Sequence, residues 1–195
     1  LTKDTSSSSI LTLSNANTYS GATTISAGTI KLGNASALGS TAAGTTVSAG
    51  AVLDLNGVNY TSAEALTING TGIASGGAII NSSATGATYA GLVTLGSAAS
   101  IVGDTGTIAL SNAGTISGVY ALTLGGSAGG SVASIIGTST GTLTKAGSGT
   151  WTLSGVNTYS GTTTVSAGTL QLNGVTALGG GSVSVAGTLA FNSVS

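Results

Sequence analysis

The stretch NTYSGTTTVSAGTLQL, residues 157–172, contains no histidine, cysteine or charged side chain, and an altered copy, NTYSGATTISAGTIKL, occupies residues 17–32. Its chemistry is sparse but its pattern is regular. In TLQL, Leu170 and Leu172 point one way while Thr169 and Gln171 point the other. In TTTVSAG, Val165 is inward between Thr164 and Ser166. Alternation over four to six residues is the mark of a half-buried strand, and the Gly, Asn and Ser between such runs mark turns. The phrase therefore encodes two strands and their corners.

From this phrase the repeat extends outward. From Leu13 to Gly39 and from Leu153 to Gly179 the numbering offset is a constant 140, and 17 of the 27 positions are identical. Upstream, LTKDTSSSSILTLS aligns with LTKAGSGTWTLS if the first copy carries two extra residues, so Leu1 matches Leu143 and Lys3 matches Lys145. Repeat copies lie near residues 1–58 and 143–195, with degenerate rungs over 59–142. The chain starts at a repeat boundary and ends inside the next copy, as expected of a piece of a longer tandem array.

A shorter beat runs beneath the long one. AGTLQL at Ala167 returns as AGTLAF at Ala186, a step of 19, and SAGTIKL at Ser26 returns loosely as SAGAVLDL at Ser48, a step of 22. Periods of about 20 residues indicate a solenoid. No helical periodicity that would indicate βαβ units is present. The fold class is all-β, a right-handed parallel β-helix with rungs of about 20 residues. Nine to ten rungs at ~4.8 Å give a rod of roughly 45 Å. No linker interrupts the chain, which reads as one continuous domain over residues 1–195.

Composition agrees. The 195 residues include 34 Gly and no Pro, Cys, Met, His or Arg; three Lys oppose one Glu and three Asp. Apolar residues reach 41% but aromatics only 4%, which suits a thin aliphatic core better than a large round one. Disordered chains are rich in Pro, Glu and Lys and poor in β-branched residues; here Thr, Val and Ile are dense and Pro is absent. A net charge of −1 provides no footprint for nucleic acid. No run of 18 apolar residues exists to span a membrane, so no membrane insertion by this segment is expected. LTKDTSSSS does not read as a signal peptide.

The run GSGTWTLSGVNTYSGTTTVSAGTLQLNGVTALG, residues 147–179, resembles the passenger-associated transport repeat of bacterial autotransporters. The copy beginning at Leu1 departs from it at DTSSSSI, which replaces AGSGT. The resemblance implies a β-helical passenger segment exported across the Gram-negative outer membrane to the cell surface. In that family the motif is linked to export and folding of the stalk, and adhesion or toxicity usually depends on other parts.

The chemistry-bearing residues are few. The central acids are Asp54, Glu64 and Asp104, and the nearest lysine in sequence is Lys31. Polysaccharide-cleaving β-helices need clustered carboxylates or a carboxylate with a base; these three are expected to be separate solvated charges, with Asp54 and Glu64 on different faces. Without His there is no Ser–His dyad. GGSAGG, residues 125–130, lacks the Lys-Ser/Thr ending of a phosphate loop and reads as a flexible turn. No zinc or calcium motif occurs. No catalytic, cofactor-binding or metal site is therefore expected.

Tyr60, Tyr89 and Tyr120, at spacings of 29 and 31, are expected to be separate loop aromatics rather than a sugar-stacking strip, and Tyr19 and Tyr159 to pack equivalent corners. The triplets at Asn34, Asn59, Asn69 and Asn81 fit the glycosylation pattern but are read as chance matches. The Thr-x-Thr pairs Thr150/Thr152 and Thr162/Thr164 raise ice binding, but do not recur at a fixed rung position. The function expected is a non-catalytic structural or adhesive segment of a secreted surface protein. The alternative is a self-assembling extracellular filament subunit. In either case end-to-end or lateral self-association is the expected partnership, and the receptor is unidentified.

Overall fold

The computed structural model describes residues 1–174 and 177–192. Val175 and Thr176, inside the second repeat copy, lie outside the described residues. Among the described residues all pairing between strands is parallel. The chain winds as a β-solenoid of about nine turns and about 21 residues per turn. Among the described residues the only helical element is the 3₁₀ turn Ile73–Ser75.

Three strand-bearing faces succeed one another along each turn. The first carries Thr2–Lys3, Thr23–Ile25, Thr45–Val47 and Leu66–Gly70. On the second, Ile10–Leu13, Gly28–Leu32, Ala51–Asp54 and Ile79–Ile80 stack. The third carries Asn59–Tyr60, Ala87–Tyr89, Ile108–Leu110, Gly129–Val132, Thr150–Leu153, Thr169–Asn173 and Thr188–Asn192. One strand, Val93–Val102, is long enough to serve two faces. Its first part pairs with Leu66–Gly70 and its last part with Ile79–Ile80 and Leu122–Gly125. Beyond it the first face continues only as the two-residue strands Thr115–Ile116 and Ile135–Ile136. The second face continues through Leu143–Lys145 and Thr163–Val165 to Val183–Val185.

The alternation read from the sequence sets which residues fill the interior. Ile25, Val47, Ile68 and Leu95 stack on the first face, and Ile30, Leu53, Ile79, Ile101 and Leu124 on the second, all essentially inaccessible. On the third face Tyr60, Tyr89, Leu110, Val132, Leu153 and Leu172 form the column. Burying each such side chain contributes about 1.5–3 kcal/mol before ordering costs. The widest residue, Trp151, is fully buried and donates its indole N–H to the Gly125 carbonyl at 2.9 Å. Gly130, its register partner, has no room for a side chain: a Cβ there would lie 2.0 Å from the Ile108 carbonyl oxygen and 3.0 Å from the Trp151 ring.

The two repeat copies fold alike. Thr23–Ile25 and Thr163–Val165 are equivalent strands, as are Gly28–Leu32 and Thr169–Asn173. Leu32 and Leu172 are both inward, at 0% and 2% exposure. The copies do not occupy the same faces. Thr23–Ile25 lies on the first face, whereas Thr163–Val165 lies on the second, stacked in one column with Ile30, Leu53, Ile79 and Ile101. Likewise Gly28–Leu32 is on the second face and Thr169–Asn173 on the third. The offset of 140 thus spans six full turns plus one face. The irregular middle sets this remainder, because the turns there are unequal in length. Tyr60 pairs with Tyr89, a step of 29, whereas Leu172 pairs with Phe191, a step of 19.

Candidate functional site

The charged residues are not the separate solvated groups expected from sequence. Asp104 is exposed, but Asp54 is 3% exposed and Glu64 1%. The reason differs for each, and both lie in the fold's turns.

Asp54 ends the strand Ala51–Asp54 and caps the turn after it. Its Oδ1 accepts N–H bonds from Asn56 at 2.9 Å and Ser82 at 3.0 Å, and its Oδ2 accepts the Ser82 hydroxyl at 2.6 Å. Lys31, directly across the ladder, places Nζ 3.9 Å from Oδ2 and 3.1 Å from Ser82 Oγ. Here the solenoid gathers a carboxylate, a hydroxyl and an amine. Parallel stacking brings together side chains from three successive turns, a proximity that sequence distance hides. Chemically the set is a cap. Both carboxylate oxygens are already occupied by donors from Asn56 and Ser82, which leaves the group a structural role.

Glu64 occupies the corner between Asn59–Tyr60 and Leu66–Gly70, with its side chain turned inward. Oε1 accepts the buried Thr45 hydroxyl at 2.9 Å, and Oε2 has no partner. One rung on, the Tyr89 hydroxyl donates to the Glu64 carbonyl at 2.7 Å. Tyr60 and Tyr89, expected in loops, are register partners on adjacent strands, fully buried, with rings stacked at 5.4 Å and 11°. Burial in this corner, opposed by the Thr45 donor, raises the Glu64 carboxyl. Burial, and in alkali the Glu64 carboxylate once it has ionised, push the Tyr60 hydroxyl up to about 12. Tyr120 alone of the three is exposed, at 42%.

A second set of contacts is common to both repeat copies. Lys3 and Lys145 are buried at 5% and 0% exposure, each without a carboxylate partner among the described residues. Lys145 Nζ donates to the carbonyls of Ala146 and Gly147 at 2.8 Å and of Ala167 at 3.0 Å. Lys3 Nζ donates to Thr5 O at 2.5 Å, Ser9 Oγ at 2.6 Å and Ala27 O at 3.0 Å. Ala27 and Ala167 are equivalent, so each lysine clamps its own turn to the SAG turn one rung later. The two extra residues of the first copy change one clamp acceptor from a carbonyl to the Ser9 hydroxyl. Burial pushes the Lys145 ammonium down from its ordinary value.

At the corners, the Tyr19 and Tyr159 hydroxyls bond Thr23 and Thr163 Oγ1 at 2.8 and 2.6 Å. The Asn17 and Asn157 amides donate to the carbonyls of Ala37 and Ala177. Asn69 and Asn81, two of the four glycosylation triplets, likewise spend their amide donors on carbonyls of neighbouring rungs or turns.

The outer surface is hydroxyl-rich and nearly uncharged. Thr2, Thr24, Thr46, Thr67 and Thr94 stand in register on the first face. Beyond the long strand, past the buried Ser100, the file continues on the second face as Thr123, Thr144, Thr164 and Ser184. The file is one residue wide. The Thr150/Thr152 pair does not stack, because Thr152 meets Gln171. On the third face a shallow groove of about 330 Å³ is lined by small and hydroxylated residues, among them Ala109, Ser131, Thr150 and Thr152. Of GGSAGG only Gly126–Ala128 lies between strands, and Ser127 is tied by N–H and Oγ to Asp104 Oδ1 at 3.1 and 2.9 Å. Among the described residues no three Asp, Glu, His or Cys side chains gather as a metal set.

The family model of the passenger-associated-transport-repeat matches residues 6–32 and 143–172. The second match contains the whole Lys145 clamp, the first contains the Ser9 and Ala27 acceptors of Lys3 but not Lys3 itself, and both contain the Tyr–Thr corner bond, Tyr19–Thr23 and Tyr159–Thr163. No curated protein and no solved structure matches the chain significantly.

Proposed function

We propose that the chain is a non-catalytic stalk segment of a secreted, surface-exposed autotransporter passenger, exported through a Gram-negative outer membrane, with an adhesive surface as its secondary role. The observation that carries this reading is that the matched repeat segments hold rung-to-rung contacts: the whole Lys145 clamp in the second, and in the first the Ser9 and Ala27 acceptors of Lys3, which stands three residues before the match. Lys3 and Lys145 recur at an offset of 142 and their acceptors Ala27 and Ala167 at an offset of 140, and in both copies the lysine ties one rung to the next. A repeat selected for export needs rungs that add in sequence, each templated by the last, since solenoid layers contact only their neighbours. Lys3 and Lys145 supply that registration with side chains rather than bulk.

The test is surface display of the full-length passenger carrying K3M and K145M together, scored by protease accessibility on intact cells. Reduced display with retained expression supports the proposal. Undiminished display, with the purified segment less stable, would leave the clamps as stability devices only and overturn the export reading.

A second reading, a self-assembling filament subunit, draws on the end rungs. Ile10 is 64% exposed and Phe191 70%, and Val183 and Val185 nearly half. Phe191 and Val185 extend the interior columns of Leu172 and Val165. They are the surfaces on which a further rung, from the same chain or another copy, would seat. Light scattering and electron microscopy over a concentration series distinguish the readings: end-to-end rods favour self-assembly, and a monomer at high concentration removes it.

A further inference from the structure

Three buried side-chain polar atoms lack a hydrogen-bond partner among the described residues, and two of them, Glu64 Oε2 and the Tyr60 hydroxyl, belong to one corner. The groups that face Glu64 there are Thr45 from the first face, Tyr60 and Tyr89 from the third, and Tyr19 from the corner below. None is cationic. The lysines are engaged elsewhere: Lys3 and Lys145 in their clamps and Lys31 with Asp54. An ionised Glu64 would therefore hold an uncompensated charge inside an aliphatic and aromatic stack, which is costly. As the neutral acid it carries no charge, and its burial costs only that of a polar group with one bond made, to Thr45.

We propose that Glu64 is a proton-operated lock on this layer: the closed fold holds it as the neutral acid, and loss of that proton loosens the packing of Thr45, Tyr60 and Tyr89 around it. The composition isolates the effect. Ordinary carboxyls titrate near 4 and ordinary lysines and tyrosines near 10, and the chain has no histidine. Between about pH 5 and 8 it has no ordinary side-chain titrant. Burial moves the Glu64 carboxyl upward, toward that window. A carboxyl raised in the folded state gives its full stabilisation below its ordinary value, and that stabilisation declines as pH rises through the raised value. Lys145, the other displaced charge, acts with the opposite sign, because losing its proton relieves a burial cost.

Glu64 is the chain's only glutamate, so side-chain carboxyl ¹³C labelling of glutamate gives one resonance. The expected midpoint lies above the ordinary 4.5. Over pH 5–8 the wild-type melting temperature is expected to fall with rising pH. E64Q, isosteric and always neutral, is expected to be flat over that range and to melt above wild type at pH 8. At pH 8 the amides of Thr45 and Leu66 should exchange faster in wild type than in E64Q. A midpoint at or below 4.5, or an E64Q slope equal to that of wild type, would overturn the proposal.

Discussion

Leu172→Asp tests the interior most sharply, because Gln171→Asp beside it is its control. Leu172 is 2% exposed between Leu153 and Phe191, while Gln171 sits half-buried on the outer side between Thr152 and Ala190. Losing a buried leucine side chain costs about 2–5 kcal/mol. A carboxyl forced to stay neutral at pH 7, against an ordinary value of ~3.9, costs about a further 4 kcal/mol at ~1.4 kcal/mol per unit. The sum, about 6–9 kcal/mol, rivals the whole stability of an ordinary domain, about 5–15 kcal/mol. In a solenoid the loss need not be global, since layers contact only their neighbours. Leu172→Asp should open the last rungs, from about Thr163 onward, and leave the layers near Ile30 protected. Hydrogen exchange read by mass spectrometry resolves this, and acidification below about pH 4 should partly restore protection as the new carboxyl protonates. Gln171→Asp should stay within about 0.5 kcal/mol of wild type, as surface changes do. Equal loss of protection in the two variants would refute the inside–outside assignment.

Other outcomes follow from the contacts described. Gly39→Ala and Gly179→Ala should both destabilise, the new Cβ falling at 2.5 Å from the Tyr19 carbonyl oxygen in the first case and against the Tyr159 carbonyl in the second; thermal melts check both, and a neutral effect at either would break the equivalence of the copies. Trp151→Phe should cost about 1–3 kcal/mol by leaving the Gly125 carbonyl without its donor, measured by denaturant unfolding. At alkaline pH, Tyr60 stabilises the fold below its ordinary 10.0 and loses that contribution as pH rises through about 12; Tyr60→Phe should shift the alkaline unfolding midpoint upward.

The strands are legible in the sequence because period-two alternation survives even where the repeat decays: within VTL and IAL, Val93 and Leu95, and Ile108 and Leu110, face inward. Their stacking is legible from the short beat near 20. Position around the axis is not, since it depends on the summed lengths of turns, and the long step from Tyr60 to Tyr89 shifts everything after it. The same summation hides which distant residues meet. Asp54 reads as solvated because nothing in sequence places Lys31 and Ser82 beside it, and Tyr60 and Tyr89 read as loop residues because their spacing departs from the beat. The buried lysines do leave a signal, namely their recurrence at the same place in both copies, but composition alone reads a lysine as surface.

The one-face remainder between the copies makes the repeat behave like the thread of a screw. In any chain that kept this spacing, successive copies would advance around the axis by a third of a revolution, and the fourth would return above the first after about 19 turns, or ~90 Å. Whatever the outer residues of the phrase meet would be offered in all directions in succession, never along one seam. Two such rods lying side by side could align one copy at a time, so lateral sheets are disfavoured by geometry, while contacts from scattered partners around the rod are equally served.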